Sequence, residues 1–121
     1  MNQPVAFRDL THLRDRLRTF ATERDWDQFH SPKNLAMALI VEAAEIVEHF
    51  QWLTDRQSTN LPLDKRALVA DELADVLIYL VRIADKLDID LLAASGDKMR
   101  RNELKYPAPL VTGSARKYTE Y

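Results

Sequence analysis

Apolar residues recur along this chain at three- and four-residue intervals, and prolines at positions 4, 32, 62, 107 and 109 punctuate the pattern. Leu10, Leu13, Leu17, Phe20 and Ala21 make one stripe of a first helix predicted over about 8–24. Arg14, Asp15, Arg16, Arg18 and Glu23 cover its other side. Ser31-Pro32 reads as an N-cap followed by proline at the first helical position, opening a second helix that runs to about Gln51. Leu35, Leu39, Ala43, Ile46 and Phe50 form its main stripe, while Met37, Ala38 and Val41 are apolar on the opposite side. A helix apolar nearly all round needs more than one neighbour. In so short a chain, that favours a bundle completed by another subunit.

Residues 54–60 are polar and read as an irregular, variable loop. A third helix, over about 64–87, turns Leu73, Val76, Leu77, Leu80, Ile83, Ala84 and Leu87 toward a core. On the same helix Glu72, Asp75, Tyr79 and Arg82 make one polar stripe. Asp90 caps a fourth helix that runs to about Tyr106, and 107–121 has no period and reads as an arm over the surface or a neighbouring subunit. No strand pattern is present. The expected class is all-α: a four-helix-bundle-like protomer, completed by oligomerisation, forming one domain over 1–121 with a helical core at 7–107 and a C-terminal arm at 108–121.

Composition narrows the chemistry. A length of 121 residues fits one domain with a modest core. A net charge of -2 gives no global field for a nucleic acid polymer or an anionic membrane. The absence of cysteine excludes disulfides and thiolate metal sites and fits a cytoplasmic setting. No signal peptide is visible at Met1-Asn2-Gln3-Pro4, and the longest apolar run, Leu35 to Val41, is too short to span a bilayer.

Two acid pairs carry the functional signal. Glu42 and Glu45 on the second helix, and Glu72 and Asp75 on the third, are each spaced i, i+3, so each pair faces one way. No lysine or arginine occurs between Asn34 and Gln51, and Glu42, Glu45 and Glu48 repel one another on one helix. Clustered acids without internal cations suggest an external one. Mg²⁺ prefers oxygen, takes a few carboxylates and fills its remaining positions with water and substrate phosphates. Glu42, Glu45, Glu72 and Asp75 are therefore the expected metal ligands. Glu42, Glu45 and, at the edge of the group, Glu48 are the expected catalytic acids, one of them orienting water or taking its proton. The plain alternative is surface acids in helix pairs. A di-iron carboxylate bundle needs Glu-x-x-His motifs, and His49 follows Glu45 by four rather than three.

With these residues in view the chain resembles the MazG-like all-α nucleoside triphosphate pyrophosphohydrolases, whose E-E-x-x-E, spacer, E-x-x-D pattern is matched by Glu42, Glu45, Glu72 and Asp75. Val41 stands where the family pattern begins with an acid. Further segments are similar to the dCTP pyrophosphatase branch: Glu23-Arg24-Asp25-Trp26, Gln28-Phe29-His30, Phe50-Gln51-Trp52, Asp75-Val76-Leu77-Ile78-Tyr79-Leu80 and Arg116-Lys117-Tyr118-Thr119-Glu120. The matching stretches span the chain from Phe7 onward. The resemblance implies Mg²⁺-dependent hydrolysis of dCTP, or base-modified dCTP, to the monophosphate and pyrophosphate. It also implies a homo-oligomer, tetramer or dimer, and a role in cleansing the nucleotide pool. It implies too that Trp26, Trp52 and Tyr79 frame the base. Leu17 stands where some relatives have histidine, which bears on base preference.

Other residues divide between functional and structural roles. Stacking on a pyrimidine competes with plain core burial for both tryptophans. His30 precedes a helix N-terminus, where a substrate contact competes with capping. His12 and His49 read as structural. Lys98 and Asn102, i, i+4 on the last helix, suit phosphate oxygens or a solvated basic face. Lys105 is one turn on, where relatives often have arginine, and lysine does not copy a bidentate arginine contact. Arg116 and Lys117 extend along the tail. The rival functions are a nucleoside triphosphate pyrophosphohydrolase of broad base preference, a non-catalytic nucleotide-binding helical oligomer, and a structural bundle with a solvated acidic face.

Overall fold

The computed structural model describes residues 6–120, and four of its helices open on a side-chain cap. Asp9 accepts a hydrogen bond from the His12 backbone N–H at 2.8 Å and opens α1, Leu10–Glu23. Ser31 does the same for Asn34 N at 3.1 Å, with Pro32 at the first position of α2, Pro32–Phe50. The longest helix, spanning Leu63–Lys86, follows Pro62, and between it and α2 lies a five-residue helix, α3, Asp55–Thr59. The long helix is α4. Asp90 caps α5, Leu91–Lys105, through Ala93 N at 3.0 Å, and α6 is a single turn, Ala108–Val111. The class is all-α, and no strand occurs among the described residues. None of the described helices is long and apolar enough to cross a membrane.

Residues 54–60 differ from the loop expected of them. Thr54 accepts from Gln57 N at 3.1 Å while the Gln57 side chain accepts from Thr54 N at 2.9 Å, a reciprocal capping box that opens α3. No apolar stripe is needed when two orphan donors are satisfied locally. The tail also contains more regular structure than its composition suggests. Besides α6 it forms a single 3-10 turn at Tyr118–Glu120 and bends at Gly113, whose φ of 80° suits glycine.

The chain divides into two compact units, one through Asp88 and one from Ile89 onward. In the first, α4 packs against both α2 and α1. Leu13, Ala21, Leu35, Val69, Val81 and Ala84 are its buried apolar residues, Leu35 being the largest fully buried side chain. Much of the rest of the apolar surface stays open. Leu73, Leu77, Leu80 and Leu87, expected in the core, are 41–53% exposed, and Met37, Ile40 and Val41 on α2 are 55–63% exposed. Phe20, also expected in the first stripe's core, is 44% exposed. The reason is geometric: α4 turns one side to α1 and α2, and three helices cannot enclose residues spread around most of its circumference.

Eight residues, Arg24 to Ser31, link α1 to α2. Asp25 adopts a left-handed φ of 52°, a conformation aspartate tolerates better than most residues. The Gln28 side chain donates to both the Asp25 backbone oxygen and its carboxylate. Asn34 Nδ2 donates to Phe29 O at 3.0 Å and ties the loop to the start of α2. A short 3-10 turn, Asp27–Phe29, completes it.

Candidate metal centre and its surroundings

The packing of α2 on α4 brings acids from both helices together. One carboxylate oxygen each from Glu42, Glu45 and Glu72 lies within 4.8 Å of the others, and all three side chains are half-buried. Glu42 Oε2 and Glu72 Oε2 are buried and have no hydrogen-bond partner among the described residues. Buried carboxylate oxygens are costly to leave unsatisfied. Two such groups, joined by the Glu45 carboxylate, converge from two helices and make a negative, under-coordinated cluster.

The electrostatics show the strain. Burial, followed by the neighbouring Glu45 and then Glu72 and Asp75, pushes the Glu42 carboxyl up to about 7. Glu45, followed by burial, holds the Glu72 carboxyl above the usual carboxylate range. Without a cation Glu42 is thus partly protonated near neutral pH. A donor set of carboxylate oxygens with unfilled lone pairs fits a hard divalent ion.

Asp75 is half-buried and lies outside the tight group of three, yet its charge reaches Glu42, Glu72 and Tyr79. Glu48, one turn beyond Glu45, is exposed and also outside it. Tyr79 is half-buried, its hydroxyl held above the usual range by burial and by the charges of Glu42 and Asp75. The polar stripe of α4 therefore borders the acid cluster as far as Tyr79. Arg82, the last member of that stripe by spacing, is instead 4% exposed and engages the α1–α2 loop. His49, read from sequence as structural, sits beside the acids: its Nε2 is 3.7 Å from Glu72 Oε1. Its position four residues after Glu45, on the same helix face, was the available signal.

The aromatic residues flank α2. Trp26 is 45% exposed, packs edge-to-face on Phe20 at 5.6 Å between ring centroids, and has His30 at 6.5 Å. Trp52 is 87% exposed at the other end of α2. An aromatic surface left this open is available for stacking. Lys98 and Asn102 lie one turn apart on α5 in the second unit, the first exposed and the second half-buried.

An all-α scaffold with carboxylates converging from two helices defines a helical protein with a candidate divalent-cation site. Comparison with known proteins makes the class specific. The MazG-like family model matches residues 37–121, and the chain belongs to that family. Over 103 residues it is 48% identical to dCTP pyrophosphatase 1 from both Homo sapiens and Mus musculus, a match covering 84% of this chain and 61% of each relative. The aligned part of this chain thus spans about three fifths of the length of those curated relatives. Among solved structures, a pyrophosphatase from Archaeoglobus fulgidus superposes with a TM-score of 0.78 at 36% identity, covering 88% of this chain and 99% of that one.

Proposed function

We propose that this protein hydrolyses dCTP, or a base-modified dCTP, to the monophosphate and pyrophosphate with the help of Mg²⁺. The observation that carries the reading is the convergence of Glu42, Glu45 and Glu72 with two buried, unpartnered carboxylate oxygens. The similarity to dCTP pyrophosphatase 1 supplies the substrate class.

Glu42, Glu45 and Glu72, with Asp75 beside them, would hold the cation. When bound, Mg²⁺ neutralises triphosphate charge and polarises the phosphoryl group under attack. The carboxylates of Glu42, Glu45 and the exposed Glu48 are the groups available to orient water and accept its proton. His49 borders Glu72 and helps fix its orientation. Trp26, Trp52 and Tyr79 are the residues that would frame the base, Trp26 and Trp52 coming from different copies because they lie at opposite ends of the 19-residue α2; His30 would contact the nucleotide, and Lys98 and Asn102 on α5 are the candidate phosphate donors. The assembly is a homo-oligomer acting on the free nucleotide pool of the cytoplasm, with the open leucine face of α4 and the apolar face of α2 covered by further copies.

Pyrophosphate release tests the reading. The chain is assayed with Mg²⁺ against dCTP, 5-methyl-dCTP, dUTP, dTTP and ATP. Release is expected to be fastest from the cytosine nucleotides and abolished in Glu45→Ala. Equal rates across the panel would replace it with a broad-specificity pyrophosphohydrolase. Binding of dCTP without turnover of any member would leave a non-catalytic nucleotide-binding oligomer.

A further inference from the structure

Arg82 is the one buried charged side chain among the described residues, at 4% exposure, and it lies away from the acid cluster's ligands. Its Nη2 donates to Asp27 Oδ1 at 3.0 Å and also lies 3.2 Å from Nδ1 of His30. Its Nη1 is 3.5 Å from Asp85 Oδ2. Each carboxylate is held a second time. Lys86 Nζ donates to Asp27 Oδ1 at 2.5 Å, and Arg18 of α1 binds Asp85 through both Nε and Nη2. Asp27 and His30 both belong to the loop that carries Trp26. The guanidinium therefore fastens that loop to α4, and through Asp85 to α1.

The contact with His30 fixes more than position. A guanidinium has only donors, so the imidazole nitrogen facing it must accept. Nδ1 is then unprotonated, and a neutral ring must carry its proton on Nε2. The charges facing the ring favour neutrality: Arg82 and Lys86 on α4 outnumber Asp27 on the loop, and the Trp26 ring lies 6.5 Å away, tilted by 60°. Burial, reinforced by Arg82, accordingly holds the His30 pKa below its ordinary value.

We propose that Arg82 is a positioning residue for nucleotide binding: it clamps the Asp27–His30 loop to α4 and locks His30 as the neutral Nε2–H tautomer, presenting a fixed donor to a substrate oxygen. The nucleotide contact rests on the proposed function. The clamp and the tautomer do not.

Two readouts separate these. In the ring-nitrogen NMR spectrum of the isotope-labelled full chain at about pH 7.5, His30 is expected to be protonated at Nε2 and bare at Nδ1, with its signals assigned by their loss in His30→Gln. In Arg82→Met the Nδ1-protonated form should appear. KM for dCTP should then rise about tenfold, with kcat changed by less than about twofold, because the lost contact serves ground state and transition state alike. A wild-type His30 that is charged, or that carries its proton on Nδ1, overturns the proposal, and it does so even if Arg82→Met fails to fold. An unchanged ring spectrum in Arg82→Met also overturns it, as does an unchanged KM once the tautomer has moved. If the wild type turns over no nucleotide, the function fails by itself and the ring spectrum still decides the role of Arg82.

Discussion

Cation binding at the acid cluster should expel a proton, and the amount follows from the structure. Burial and the neighbouring acids push Glu42 up to about 7, so at that pH the carboxyl is half protonated when no cation is present. A carboxylate must lose its proton to ligate. Saturating the site with Mg²⁺ should therefore release from Glu42 about half a proton at pH 7, about 0.9 at pH 6 and about 0.1 at pH 8, with any proton on Glu72 adding to the count at the lower pH. Apparent affinity should fall about tenfold for each pH unit below 7. Isothermal calorimetry in buffers of different ionisation enthalpy reads the proton count as the slope of observed heat against buffer heat. Glu42→Gln removes the group that titrates nearest neutrality, so its slope at pH 7 should be clearly smaller than the wild type's, the remainder coming from Glu72, whose carboxyl is also held above the usual range. A zero slope for the wild type at pH 6 would refute the reasoning. An undiminished slope in Glu42→Gln would refute it equally, because the proton would then come from elsewhere.

Three further outcomes are expected. In chelator, the raised pKa of Glu42 stabilises the fold most below 4.5 and is lost as pH rises toward 7, whereas Asp27 (held down first by Lys86) and Asp85 (first by Arg18) lose their contribution only as pH falls below 3.8. Between pH 4.5 and 7 the metal-free melting temperature of the wild type should therefore fall relative to that of Glu42→Gln, a difference from which the opposing contribution of His30, common to both proteins, cancels. Leu35→Ala, at the largest fully buried side chain, should cost about 2–5 kcal/mol in urea unfolding, while Leu63→Ala, at an 83% exposed position, should change it by less than about 0.5 kcal/mol. Trp52→Ala should raise KM for dCTP by about tenfold or more through lost stacking, with the melting temperature unchanged because the side chain is 87% exposed.

The helix ends were legible because caps are local. Ser31-Pro32 and Asp90 mark the starts of α2 and α5 within a residue, each satisfying a backbone N–H three positions on. The α3 helix obeys the same chemistry through Thr54 and Gln57, but it has no apolar period to draw attention to a capping box. The acid pairs were visible as two i, i+3 spacings. Their convergence depends on how α2 lies on α4, which no local pattern encodes. Arg82 shows the limit most clearly: its spacing places it with Glu72, Asp75 and Tyr79, while its partner is Asp27, 55 residues away. The leucines of α4 repeat at helical intervals, but periodicity says only that a surface is apolar, not which neighbour covers it. Leu73 and Leu77 are open although their spacing is that of core residues.

The placement of the two tryptophans gives the protein a built-in optical reporter. They are the only indoles in the sequence, one sheltered to 45% exposure beside Phe20 and the other standing 87% exposed in solvent. Unliganded emission should be long in wavelength and readily quenched by iodide, chiefly through Trp52. A stacked pyrimidine would shield that ring, so the blue shift and loss of quenching would measure occupancy directly, without a label and without turnover.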